Sequence, residues 1–339
     1  MKSTRFISLR TAGVAGALIA GTLALSGFAA AQSPSRHNIP GDDISIYNLI
    51  GTATVVAGTG ADVSIEVNLT GRDAAKLAVE AGVHDGRPML RVIFPGSKFV
   101  DKSMGLGSIT QMRVEKDGTF GNSVAGGRSV KISGRGSGLE ARADLTISVP
   151  AGKTVRVHQA VGEVSATGVD ANLIIDTAAA SVSAAKIRGS LSVGVGSGDV
   201  DITDVRGERV HVDTGSGQVT GSEISAPTLT IDTGSGDIDL TAVSTVTVHL
   251  DTGSGSVSIE LVSDVEELAI DTGSGDVRVG IPESLGAGVR VETGSGDIEI
   301  DVSHETEKLR RSFFRGRIGD GLGEIRIDTG SGAVSLVES

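Results

Sequence analysis

The chain has 339 residues, with 30 Lys and Arg against 42 Asp and Glu, a formal charge of −12. A surface this acidic repels nucleic acid and anionic membranes, which sets nucleic acid aside as a partner. With 49 Gly, no Trp and one Tyr, the composition points to thin layers of small side chains, not a thick globular core.

Residues 1–31 read as a secretory signal peptide. Lys2, Arg5 and Arg10 give a positive start, Ala12–Phe28 an apolar stretch, and Ala29-Ala30-Ala31 a small-residue cleavage site. The alternative is an uncleaved membrane anchor, but the stretch is rich in Gly and Ala, weak for permanent spanning; no second apolar span follows, so no stable membrane span is expected after cleavage. The chain has no Cys, which removes disulfides and a lipid-modified cysteine at the junction. The expected location is exported: periplasmic, cell-surface or secreted, in a bacterium.

Residues 32–41, with Pro34 and Pro40, read as a polar linker. A β-rich N-terminal part follows over 42–150. Ile44, Ile46, Val63, Ile65, Val67 and Leu69 lie on period-two alternations, the strand signal. Asp85-Gly86 between two apolar runs predicts a hairpin. Residues 96–140 are a glycine-rich excursion with two strands, near Ile109–Glu115 and Ser129–Ser133.

Over 151–339 one motif dominates. An acid followed by Thr-Gly-Ser-Gly starts at Asp213, Asp232, Asp251, Asp271, Glu292 and Asp328, in steps of 19, 19, 20, 21 and 36. A fixed period near 20 predicts a solenoid with one rung per copy. Fainter copies run back through Gly194 and Asp176 to His158. Within a rung, Leu229, Ile231, Ile238 and Leu240 should point inward on two strands that flank a glycine bend, with Val243, Val246 and Val248 completing the circuit. The expected fold is all-β: a parallel β-helix or β-solenoid of ~19-residue rungs after a less regular β-rich part. The 36-residue step holds an insertion, 303–323, in which a short helix and a glycine-rich return are expected.

These features resemble the bacterial putative-adhesin family of exported β-strand-repeat domains, a family of no assigned function. The resemblance rests on the strand Ile46–Val55, on Val149-Pro150-Ala151-Gly152 and on the Thr-Gly-Ser-Gly array, and it spans about residues 42–339. It implies a β-solenoid of the cell envelope and carries no catalytic residues.

Asp213, Asp232, Asp251, Asp271 and Glu292 should lie one above another. Such carboxylates, ~5 Å apart, repel by about 1 kcal/mol in water. Calcium is the cation that could bridge adjacent rungs, and the alternative is that each Asp accepts bonds from its own bend amides. A second acidic column, Asp199, Gln218, Asp237, Ser256, Asp276 and Asp297, sits past the bend. Asp-Thr-Gly-Ser is also an aspartic-protease signature, but those enzymes oppose two loops, and here the copies stack. The Thr residues after each acid form a column that could present hydroxyls outward. His211 and His249 share a column two rungs apart, too far to share a metal. Lys308, Arg310, Arg311, Phe313, Phe314, Arg315 and Arg317 are the candidate partner surface, with a structural cap as the alternative. The expected function is a non-enzymatic interaction or scaffold module that meets an envelope or surface protein or a glycan and needs no cofactor. The alternatives are a calcium-binding solenoid and a polysaccharide-active β-helix enzyme.

Overall fold

The computed structural model describes residues 33–121 and 126–339; the expected signal peptide lies outside the described residues. In chain order the first strands are β1 (Ser35–Ile39), β2 (Asp43–Ala57), β3 (Val63–Thr70), β4 (Ala78–His84) and β5 (Arg87–Ile93). β1 lies in the segment expected to be a linker. It is a strand because it pairs antiparallel with β3 and buries Ile39. Asp85 and Gly86, both at positive φ, turn β4 into β5. The excursion carries a small sheet of its own, in which β6 (Lys98–Val100) and β7 (Ile109–Val114) flank β8 (Arg128–Ser133). β9 (Arg142–Val149) returns to the main sheet.

Parallel layers begin earlier than the repeats suggest. β10 (Thr154–Thr167) pairs in parallel with β2 on one side and with β11 (Asn172–Arg188) on the other. β2 is therefore itself a layer, and β5 and β9 pair in parallel with its two halves beneath it. The stack continues through β12 (Leu191–Val195), β13 (Val200–Arg206), β14 (Arg209–Ser216), β15 (Val219–Ser235), β16 (Ile238–Thr252), β17 (Val257–Leu261), β18 (Glu267–Thr272) and β19 (Val277–Ile281). Each layer pairs with the next in parallel, so that Asp213 lies beside Asp232, Asp232 beside Asp251 and Asp251 beside Asp271. The result is an all-β, solenoid-like stack around one continuous apolar core.

Alternation decides what enters that core. Leu229, Ile231, Ile238, Leu240, Val243 and Val248 are buried, whereas Val246 faces out and is 42 % exposed, against expectation. The alternation runs on through the motif: Ile231 is in, Asp232 out and Thr233 in. The Thr column is thus buried, not presented to solvent. Thr252 donates to the Gly236 carbonyl at 3.2 Å, Thr272 to that of Gly255 at 3.2 Å, and Thr293 to that of Gly332 at 3.0 Å. These hydroxyls, with that of Thr329, tie one corner to the carbonyl of a neighbouring layer's corner, whereas those of Thr214 and Thr233 are buried without a partner among the described residues.

The corners explain the glycines. A Cβ on Gly236 would lie 2.0 Å from the Gly217 oxygen, and one on Gly255 would lie 2.1 Å from the Gly236 oxygen. On Gly296 it would lie 1.7 Å from the Gly332 oxygen. Close approach of one backbone to the next excludes any side chain here.

The C-terminal strands break the sequence order. They are β20 (Ala287–Thr293), β21 (Ile298–Asp301), β22 (His304–Arg310), β23 (Phe313–Ile318), β24 (Gly323–Thr329) and β25 (Val334–Glu338). β24 pairs in parallel with β18 on one side and β20 on the other; β25 does the same between β19 and β21. The last layer in the sequence is thus the penultimate layer in space. The insertion is not a helix but an antiparallel hairpin, β22–β23, laid along β20. Its alternation buries Phe314 and Ile318, and its outer strand is exposed throughout and rich in charge. Charge on a terminal strand discourages further pairing. At the other end, β4, β3 and β1 cover β5 and β9, again in antiparallel pairing.

Gly236→Ala should lower stability by about 2–3 kcal/mol through this clash. Ser235→Ala, at an exposed position beside it, should stay within about 0.5 kcal/mol. Urea unfolding of the two variants checks the contrast.

Candidate functional site

The outward acids form one column along the stack. Its order is Asp213, Asp232, Asp251, Asp271, Asp328 and then Glu292, because the β24 layer separates the last two expected neighbours. From Asp232 to Glu292 the column lines a shallow groove of about 360 Å³, which His249, Arg290 and Arg326 also line. Partial desolvation by the flanking layers, then the carboxylates of Asp232 and Asp271, hold the Asp251 carboxyl above the ordinary range. Desolvation, Asp271 and Glu292 do the same for Asp328, opposed by Arg290. Among the described residues, no group of three or more His, Cys, Asp or Glu side chains is placed to hold a metal ion. His211 and His249 lie in the adjacent column with Thr230 between them.

The second column alternates acid and neutral residues. Asp199 accepts from the Gln218 amide at 3.0 Å, Asp237 from the Ser256 amide at 2.8 Å, and Asp276 from the Ala333 amide at 2.8 Å. Each acid therefore caps the backbone of the next layer, not its own bend, and the neutral residue there avoids a like-charge contact. Ala333 sits between Asp276 and Asp297.

Followed the other way, the first column changes character. Below Asp213 come Gly194, Asp176, His158 and Tyr47. Over these positions the hairpin turn and the excursion lean back and enclose a cleft of about 740 Å³. Its floor includes Asp176, the open backbone at Gly194–Gly196, and Asp213; its far wall includes Arg113 and Phe120. Tyr47 and His158 stack at 4.4 Å and 7°, and Phe120 meets Tyr47 edge-on at 5.8 Å. Tyr47 is 8 % exposed, so it offers no open ring face to a sugar. Arg156 and Arg87 are engaged by Asp43, whose carboxyl is held below the ordinary range, chiefly by the Arg156 hydrogen bond. The His158 Nδ1 lies 3.2 Å from Asp176 but has no hydrogen-bond partner of acceptable geometry. Arg113 is exposed and makes no ion pair among the described residues.

The segment expected as a partner surface divides in two. Phe314 is buried against β20, and Phe313 lies under Lys308 (4.9 Å) and Arg290 (5.5 Å). Arg315 pairs with Glu307 and Arg317 with Glu305, inside the hairpin and not with the acid columns. Lys308, Arg310 and Arg311 face solvent. The hairpin thus ends the stack and leaves a basic rim.

The raised carboxyls have a pH consequence. A carboxyl raised above its unfolded value, near 3.9 for Asp, costs no stability below that value. The cost grows as pH rises to the folded value and persists above it. Asp251→Asn should therefore raise stability at pH 7 by about 0.5 kcal/mol, the scale of an exposed charge pair. The gain should vanish below pH 4, in thermal melts run in parallel on parent and variant.

The family model described as Toastrack DUF4097 matches residues 109–337, more than half of the chain. Two solved structures are similar at 11 % identity. One is a putative cell adhesion protein from Clostridium sporogenes ATCC 15579, covering 91 % of this chain and 100 % of that one, with a TM-score of 0.19. The other is a putative adhesin from Bacteroides fragilis NCTC 9343, covering 90 % and 98 %, with a TM-score of 0.39. No curated protein matches the chain. The extent of the family match makes this chain a member of the Toastrack DUF4097 family.

Proposed function

We propose that the chain is a non-enzymatic, exported interaction module of the bacterial envelope, adhesin-like in use. Its framework is a parallel β-helix of about 19-residue rungs. The observation that carries this reading is the cleft. Where the column loses its acids to Tyr47, His158 and Gly194, the chain brings two excursions over the gap. A scaffold alone would gain nothing from an open floor under an overhang. Concave sites with a few convergent polar groups are where ligands bind. Arg113, without an ion-pair partner among the described residues, lines the cleft with Asp176 and Asp213 and suits a polar segment of a surface protein or a glycan.

A second reading, calcium loading by the ladder, is favoured only by the stacking of carboxylates in register, at Asp251 and Asp328 partly desolvated and next to like charges, which a cation would relieve. One experiment addresses both. The immobilised 33–339 chain is presented with envelope glycans and surface-protein ectodomains, with and without chelator. Arg113→Ala should weaken capture about tenfold, the loss of ~1.4 kcal/mol, while Asp251→Asn leaves it unchanged. Equal capture by parent and Arg113→Ala removes the cleft from the function. Loss on chelation, shared by Asp251→Asn, moves the function to the ladder.

A further inference from the structure

The C-terminal layer, β24–β25, occupies a slot that the chain builds before it builds the occupant. Both walls, β18–β19 and β20–β21, precede residue 323 in the sequence. Among the described residues, β21 pairs only with β25, and β20 only with β24 and the hairpin strand β23. Until the last layer arrives, two open strand edges face each other across a gap one layer wide. Open edges are templates for any chain of matching pattern.

The slot selects its occupant by chemistry. Ile325, Ile327, Val334 and Leu336 enter the core and are exposed by 2 % or less. Thr329 donates to the Gly275 carbonyl in the layer below, and Thr293 of the layer above donates to the Gly332 carbonyl. Asp276 takes the Ala333 amide, and Ala333 separates Asp276 from Asp297. If β20–β21 stacked directly on β18–β19 in sequence order, those two acids would be neighbours. At the opposite corner Gly323 donates to the Gly286 carbonyl and Glu324 to that of Glu266, one bond to each wall.

No disulfide holds the layer in its own slot: there is no Cys. Its tether is the short segment Gly319–Leu322, with Gly319 and Gly321 at positive φ and Leu322 86 % exposed. We propose that the slot is a strand-acceptor site, and that its second occupant is the C-terminal layer of another copy of this chain, giving layer-swapped dimers. An identical layer makes identical bonds in either slot, so concentration during folding decides between them.

The test uses full-length chains with single cysteines at the exposed corners. Ser274 and Ser331 belong to adjacent layers, joined by the bond from the Gly275 amide to the Ser331 carbonyl. Ser274→Cys and Ser331→Cys chains are unfolded, mixed at high concentration, refolded and oxidised. A swapped dimer places the two cysteines one layer apart, ~4.8 Å, within disulfide reach. Ser254→Cys mixed with Ser331→Cys is the control, two layers apart at ~9.6 Å and out of reach. The expected result is several-fold more disulfide-linked dimer in the first mixture, rising with refolding concentration. Glu267→Cys with Glu324→Cys, also in register, repeats the test at another position if a corner variant fails to fold. Equal yields in test and control mixtures, or monomer alone by light scattering at every concentration, would overturn the proposal.

Discussion

The repeat layers from β12 onward depend on corners where one backbone passes within about 2–3 Å of where the next layer's side chain would begin. The two glycines of Thr-Gly-Ser-Gly make that approach. With it, carbonyls and amides of successive layers meet in parallel, and from Thr252 onward the inward Thr hydroxyl ties the corners together. Without it, the layers would stand too far apart at one edge for the ladders to close, and the apolar columns would open to water. The fold is therefore set less by a packed interior of large residues than by a backbone constraint repeated along an axis.

Such a constraint turns sequence period into surface columns. A residue type that recurs at one phase of the repeat is delivered as a line, with its charge and hydrogen-bonding capacity concentrated along it. The chain manages the resulting repulsion in two ways. In one column it alternates acids with Gln, Ser and Ala, so that each Asp caps the next layer's amide. In the other it leaves the acids adjacent and at the surface, where partial desolvation and then the neighbouring carboxylates raise Asp251 and Asp328. The proposed function uses the place where a column is interrupted, because an interruption is a local address on an otherwise uniform surface.

Much of this was legible in the sequence. The period gave the layers, and the alternation around Leu229–Leu240 gave the core face. The inward Thr was legible too, since Ile231, Asp232 and Thr233 continue one alternation, but reading the motif as a bend hid it. The position of the last layer was not legible from period, because period reports membership in a stack and not order within it. A signal existed in charge: only Ala333 can separate Asp276 from Asp297. The β2 layer carries no Thr-Gly-Ser-Gly and keeps only Gly51 at its corner, so the repeat could not reveal it. The cleft draws Tyr47, Arg113, Phe120, His158 and Gly194 from separate segments, and no spacing rule connects them.

The most direct test is amide hydrogen exchange resolved by residue across β24 and β25. Paired on both sides, Ile325, Ile327 and Leu336 should exchange as slowly as Leu229 and Ile231 in the middle of the stack, despite lying at the end of the chain. Exchange as fast as in the exposed strand β22 would contradict the account, since it would mean that the last layer is not held between two others.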